Sequence, residues 1–226
     1  MLYLVGNSIM IMSTEKGVFR STDGGNTFTH LIVEPADSNA PCYGLVATNA
    51  ATIYAGLSFR GVYKSFNGGF TWTKLPSGGP NGLPGTAGST ISLDASKSDP
   101  AIVYAAYTDT NNNQGGIYKS TDAGQTWFGG NSLPTYIDNK QGSHVNVIRV
   151  HPQDPDRVYA GGVSMLVTPT GGLVGLNSIE PITVTMISPT SSSSHRIQSR
   201  SSSAATAESS SRIPPRSPLT TQLRRP

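Results

Sequence analysis

The chain has 226 residues, only 13% of them charged, with a formal net charge of +3 and one cysteine. That charge is uneven: residues 1–179 carry ten Lys/Arg against eleven Asp/Glu, while 180–226 carry six Arg against Glu180 and Glu208. A near-neutral body gives no basis for binding nucleic acid or an anionic membrane. No apolar run approaches the ~20 residues of a membrane span, and the lone Cys42 excludes an intrachain disulfide and is expected to be a small buried or half-buried residue.

In chain order, the opening "MLYLVGNSIMIM" has neither a basic n-region nor a small-residue cleavage site, so no signal peptide is expected here. "LYLVGN" begins a series of short strands continued by "TIYAGL" (52–57), "IVYAAY" (102–107) and "RVYAGG" (157–162). On this reading the chain enters partway through a repeating unit, at its second strand. A further motif follows three times: "GVFRSTDGGNTF" (17–28), "GVYKSFNGGFTW" (61–72) and "GIYKSTDAGQTW" (116–127). Apolar segments "YGLVATN" (43–49), "TISLDAS" (90–96) and "VNVIRVH" (145–151) lie ahead of the later strands. Each unit thus supplies about four strands, A to D, at a period of about 45–55 residues, the mark of a β-propeller.

The repeated motif is turn chemistry. Asp23, Asn67 and Asp122 are expected to accept backbone N–H bonds within a C–D hairpin. Ser21, Ser65 and Ser120 end strand C. Gly25, Gly69 and Gly124 hold the one invariant turn position, as a positive φ demands. Phe28, Trp72 and Trp127 open strand D with a ring that covers the hairpin. Arg20, Lys64 and Lys119 share a strand position expected to be solvated.

The pattern S-x-D-x-G-x-T-W resembles the Asp-box, or BNR, repeat of sialidase-like, sortilin-like (VPS10) and xyloglucanase-like glycoside hydrolase propellers. "SDPAIVYAAYTD" and "HPQDPDRVYAGG" resemble the strand pair common in secreted bacterial members. The resemblance covers about residues 1–163. It implies an all-β fold, an incomplete β-propeller of about three four-stranded blades with Asp-box hairpins. An irregular segment, 164–187, and a Ser/Arg-rich disordered tail, 188–226, are expected to follow. From Ser188 onward there are thirteen Ser, no Lys and no aromatic residue, too little apolar surface to offset chain entropy. A fourth box is due after "VYAGG" and does not come. The codons of Thr168–Gly175 are compatible, one base earlier, with Ser-Asp-Gly-Gly-Thr-Ser-Trp, so a frameshift between Gly162 and Thr168 is one account of the tail. A genuine linker or anion-binding arm is the other.

In such a propeller the D–A and B–C loops share the face where ligands bind, and the boxes lie opposite. The loop carboxylates Glu34, Asp37, Asp109 and Asp138 are the weak catalytic candidates, since glycoside hydrolysis needs two carboxyl groups about 5–10 Å apart. Phe59, Arg60 and Tyr136 are the candidate sugar-stacking and hydrogen-bonding wall. Sialidase activity is not expected: the family's Arg-Ile-Pro segment precedes its first box, whereas Arg212–Pro214 follows every box here. Asp109, Asn111 and Asn113 alternate as in a calcium loop, but Gln114 stands where Gly is required. "GGPNGLPG" lacks the G-K-[ST] ending of a phosphate loop. His30, His144, His151 and His195 lack metal-ligand spacing, so neither metal nor cofactor is assigned. The reading is a non-catalytic fragment of an extracellular or periplasmic sortilin-like or BNR protein that binds a polysaccharide or protein ligand. Exposed blade edges are expected to favour self-association. Part of a xyloglucanase-like hydrolase acting on β-glucans is the alternative, and a non-functional truncated product the third.

Overall fold

The computed structural model describes residues 2–4, 8–31, 33, 39–78, 81–85, 88–111, 114–131, 146–162, 165–167 and 181–182. Among them every regular element is a strand, and the sixteen strands form four antiparallel four-stranded sheets, each in chain order. The first holds β1 (Leu2–Leu4), β2 (Met10–Thr14), β3 (Gly17–Ser21) and β4 (Thr29–Leu31). The second holds β5 (Cys42–Ala47), β6 (Ile53–Leu57), β7 (Gly61–Ser65) and β8 (Thr73–Lys74). The third holds β9 (Ile91–Ala95), β10 (Val103–Thr108), β11 (Gln114–Ser120) and β12 (Phe128–Asn131). The fourth holds β13 (Val147–Val150), β14 (Val158–Gly161), β15 (Met165–Val167) and β16 (Pro181–Ile182). All the described residues fall within one compact unit, Met1–Thr185, and the tail expected over 188–226 lies outside the described residues.

Register aligns the repeats and corrects one expectation. Met10 pairs with Ser21, Ile53 with Ser65 and Val103 with Ser120, so β2 is the counterpart of β6 and β10. Each is approached the same way: the amides of Gly24, Gly68 and Ala123 each donate, at 2.9 Å, to the carbonyls of Ser8, Ala51 and Ala101, two residues before the strand. "LYLVGN" therefore supplies strand A of a complete first sheet, Leu2 pairing with Met12. The signature misled because β2 has Ile11 where the later sheets have Tyr54 and Tyr104. At the other end the pairing continues past residue 163. Val167 opposes Tyr159 and Ile182 opposes Met165, so the fourth sheet has strands C and D but carries no copy of the turn motif.

Side-chain alternation lets each sheet pack on both neighbours. Ile53, Ala55, Leu57 and Tyr63 are buried with Ile11 and Val18 of the first sheet. Tyr54, Val46 and Val62, one residue out of phase, are buried with Leu93, Val103 and Ala105 of the third. Tyr104, Ala106 and Ile117 repeat this against Ile148, Val158 and Ala160 of the fourth. The A strands lie innermost in succession, β5 against β9 and β9 against β13.

Polar ties cross every junction, and they overturn the solvated reading of the strand-C bases. Arg20 and Lys64 are only 5% and 6% exposed. Arg20 Nε donates to the Gly68 carbonyl (3.0 Å), and the guanidinium lies 3.7 Å over the Phe70 ring. Lys64 Nζ donates to the equivalent carbonyl of the next sheet, Ala123 (2.7 Å), which also accepts from Tyr54 Oη (3.0 Å). Lys119 pairs with the Asp156 carboxylate, while Tyr104 Oη donates to Pro155 (2.8 Å). Burial lowers the Arg20 and Lys64 pKa values, the Asp122 charge opposing it at Lys64. The bases are buried because each carries its stem along one sheet and discharges its N–H on a turn of the next. Cys42 is buried as expected; its thiol donates to the Gly44 carbonyl, and burial pushes it up to about 12.

Candidate functional site

Hydrogen bonds sort the connections into two ends. At one end the repeated turns hold the segments that lead into β2, β6 and β10, as described above. At the other, the B–C turn of the second sheet binds the D–A connections on both sides: Ser58 N donates to Pro41 O (2.7 Å) and Phe59 N to Gly88 O (3.2 Å). Thr108, at the B–C loop of the third sheet, joins the same network, receiving the Thr90 amide at 2.9 Å and lying 2.9 Å from the Ser89 hydroxyl.

The turn end is built for rigidity. Ser21 Oγ donates to Asp23 Oδ1 (2.7 Å) and accepts from Gly25 N (2.9 Å). Asp23 then accepts the Thr27 amide (2.9 Å) and hydroxyl (2.6 Å). Ser120, Asp122, Gly124 and Thr126 repeat this at 2.5–2.9 Å. In the second copy Asn67 Oδ1 still takes the Thr71 amide (2.9 Å), but its Nδ2 now donates to the Thr71 hydroxyl (2.9 Å). Gly69 and Gly124 also accept the indole N–H of Trp72 and Trp127, at 3.0 and 3.1 Å. The side-chain oxygens of the Ser and Asp or Asn residues are thus engaged within their own hairpins. Ala123, where the first two copies have Gly24 and Gly68, is left-handed as they are (φ 57°), a conformation costing about 1–2 kcal/mol without glycine.

Two of these carboxylates carry a pH signature. At Asp23 the Thr27 hydroxyl, then the Thr27 amide and the Ser21 hydroxyl, hold the pKa well below the ordinary carboxylate range. At Asp122 burial pushes upward, but the Thr126 and Ser120 hydrogen bonds together bring the pKa down. A depressed folded-state pKa contributes stability that is present above the unfolded value, ~4, and lost as pH falls through the folded one. Asp122→Asn, which keeps the Oδ1 acceptor, is therefore expected to narrow its Tm deficit relative to the parent as pH drops from about 5 to 2. Asp122→Ala is expected to cost about 1–2 kcal/mol at pH 7. Thermal melts across that pH series check both; an Asn deficit constant with pH would contradict the assignment.

The loop end holds a cavity of about 200 Å³, lined by Pro84, Gly88, Tyr107, Thr108, Asp109 and Tyr118 among others. The Tyr107 and Tyr118 rings meet edge to face, centroids 5.5 Å apart. The Tyr107 hydroxyl is buried and has no hydrogen-bond partner among the described residues. Burial raises its pKa, so it stays a neutral donor. An unpaired buried hydroxyl costs about 1–3 kcal/mol, which a bound polar group would recover. Asp109 Oδ1 accepts the Asn111 amide (2.8 Å), closing an Asx turn at the rim. Phe59, tied to Gly88, is 54% exposed and left-handed (φ 56°), strain of the kind that gathers at ligand-contacting positions. Arg60 follows it, its Nη1 3.3 Å from the Phe59 carbonyl.

Of the candidates, Phe59, Arg60 and Asp109 thus share the loop end. Glu34, Asp37, Tyr136 and Asp138 lie outside the described residues, as does Asn113. Tyr107 and Tyr118 were missed; the signal was two tyrosines flanking the polar B–C loop "TDTNNNQGGI". Among the described residues no group of three His, Cys, Asp or Glu converges as metal ligands, and no helix is long and apolar enough to cross a membrane.

No protein-family profile and no curated protein matches the chain. Solved structures do. An ancestral GH74 enzyme superposes with a TM-score of 0.53 at 18% identity, over 74% of this chain and 22% of that one. The GH74 enzyme of Niastella koreensis gives 0.53 at 23%, over 77% and 27%. YCF48 bound to D1 peptide gives 0.52 at 14%, over 80% and 53%. All are β-propeller proteins. The chain is an incomplete β-propeller. It spans 22% and 27% of the length of the two GH74 enzymes and 53% of YCF48, and at these identities the likeness concerns the fold alone.

Proposed function

We propose that this propeller is part of an extracellular or periplasmic Asp-box protein, sortilin-like in kind, that binds a glycan or protein ligand on its loop end without catalysis. The carrying observation is the cavity beside the B–C loop of the third sheet, with its buried Tyr107 hydroxyl, unpartnered among the described residues, and the exposed ring of the backbone-strained Phe59 nearby. An aromatic wall with a few convergent polar groups suits a sugar ring or an extended peptide. The complex of YCF48 with a peptide supports ligand binding by this fold.

Calorimetric titration with β-glucan oligosaccharides and with peptide libraries tests the reading. Tyr118→Ala and Phe59→Ala are each expected to weaken binding about 10–100-fold. Tyr107→Phe is expected to weaken it about 10-fold while leaving the free protein as stable or more so. Affinity unchanged by all three would remove the ligand from this cavity. The likeness to two GH74 enzymes favours a second reading, part of a glycoside hydrolase. Xyloglucan turnover abolished by Asp109→Asn would establish it in place of the first.

A further inference from the structure

The three internal junctions of the propeller obey one register. Residues 1 and 3 of strand B in the later sheet are buried on residue 2 of strand B in the earlier: Ile53 and Ala55 with Ile11, Val103 and Ala105 with Tyr54, Val158 and Ala160 with Tyr104. The strand-C partner of residue 3 joins the contact, Tyr63 opposite Ala55 and Tyr118 opposite Ala105. The hydroxyl of Tyr54 then reaches the turn carbonyl of the sheet it packs on, at Ala123.

The same register assigns two faces that no further sheet covers among the described residues. On the first sheet, Met10 and Met12 hold strand-B positions 1 and 3, and Phe19 opposes Met12 as Tyr63 opposes Ala55. Met12 and Phe19 are half-buried and line an open groove of about 390 Å³ with Thr14, Glu15 and Lys16. This is the receiving surface of a junction, and Gly24 carries the turn carbonyl equivalent to Ala123. On the fourth sheet, Tyr159 holds position 2, half-buried, between Arg149 and Val167 in the register. It is the donating surface.

We propose that these two faces close on each other between two copies of the chain, the Tyr159 face of each on the Met12–Phe19 face of the other, with the Tyr159 hydroxyl donating to the Gly24 carbonyl. The occupant follows from the molecule itself, because the same complementary pair is already seated together at three internal junctions. Propellers close with about four to eight blades, and the described sheets of two copies number eight.

Sedimentation velocity on the full 226-residue chain across the micromolar range tests this. The expected result is a discrete dimer. Met12→Asp and Tyr159→Asp, one on each face, are each expected to raise its dissociation constant by about 100-fold or more, since each would bury an unpaired carboxylate. An equimolar mixture of the two variants is expected to recover association, because one sound junction remains between unlike chains. Far-UV circular dichroism verifies that each variant is folded; Met12→Gln and Tyr159→Gln replace one that is not. A chain that stays monomeric, as faces reserved for further blades of a longer polypeptide would require, overturns the proposal. So does a dimer that survives both substitutions, or one lost with only one of them, which would be a contact of one face with itself. Open-ended polymers in place of a dimer overturn the closed ring.

Discussion

Trp127→Ala is expected to destabilise the propeller by about 3–5 kcal/mol, whereas Phe28→Ala, the same position of the first repeat, is expected to cost less than about 1 kcal/mol. The motif alone does not separate them. Trp127 is 1% exposed, packed with Leu75 and Leu83 of the preceding connection and with Tyr54, while Phe28 is 37% exposed. The backbone amide of Trp127 also donates to Asn81 O (3.0 Å), so the connection from the second sheet is fastened over the ring. Removing the ring leaves a cavity between two sheets and an unsatisfied Gly124 carbonyl. Urea unfolding of the two variants measures the difference through the shift in midpoint at constant slope. Equal shifts would mean that the ring acts only within its own hairpin.

The second large effect is expected at a residue with no side chain. Gly44 lies in β5, packed directly against β9 of the third sheet. A Cβ there would stand 2.5 Å from the Ile91 carbonyl oxygen and 3.1 Å from the Leu93 amide. Both are backbone of the neighbouring β9, so no rotamer change relieves the overlap. Gly44→Ala is expected to cost about 3 kcal/mol or more by forcing β5 and β9 apart. Gly24→Ala is the control: its Cβ meets nothing within 4 Å, and only its left-handed φ of 73° is penalised, by about 1–2 kcal/mol. Ala123 shows that one sheet tolerates that change. A Gly44 variant no less stable than the Gly24 variant would contradict the close approach.

These two cases mark where sequence reasoning reached and where it stopped. The hairpins were legible because their partners are two to four residues apart, so Ser21, Asp23 and Thr27 reveal their bonds by spacing. Arg20 and Lys64 were misjudged because their partners, Gly68 and Ala123, are 48 and 59 residues away. A base alternating with apolar residues looks solvated until the next sheet is in place. The first strand was assigned to the wrong position because Ile11 replaces the tyrosine that flags strand B, and only the pairing of Met10 with Ser21 shows the equivalence. In the candidate site, Asp109, Phe59 and Arg60 were visible as polar or aromatic loop residues. Tyr107 and Tyr118 passed for ordinary strand residues, since an unsatisfied hydroxyl is a property of surroundings and not of a residue type.

By itself the sequence determined the all-β class, the repeating unit and the geometry of three turns, because alternation, turn propensity and side-chain-to-backbone hydrogen bonds are local. Only the tertiary structure decided that the strand-C bases are inter-sheet ties, that Gly44 stands against the backbone of the next sheet, that Trp127 outweighs Phe28, and that a cavity opens beside the third B–C loop. Each of these depends on which sheet faces which, and that is set by burial summed over contacts far apart in the chain.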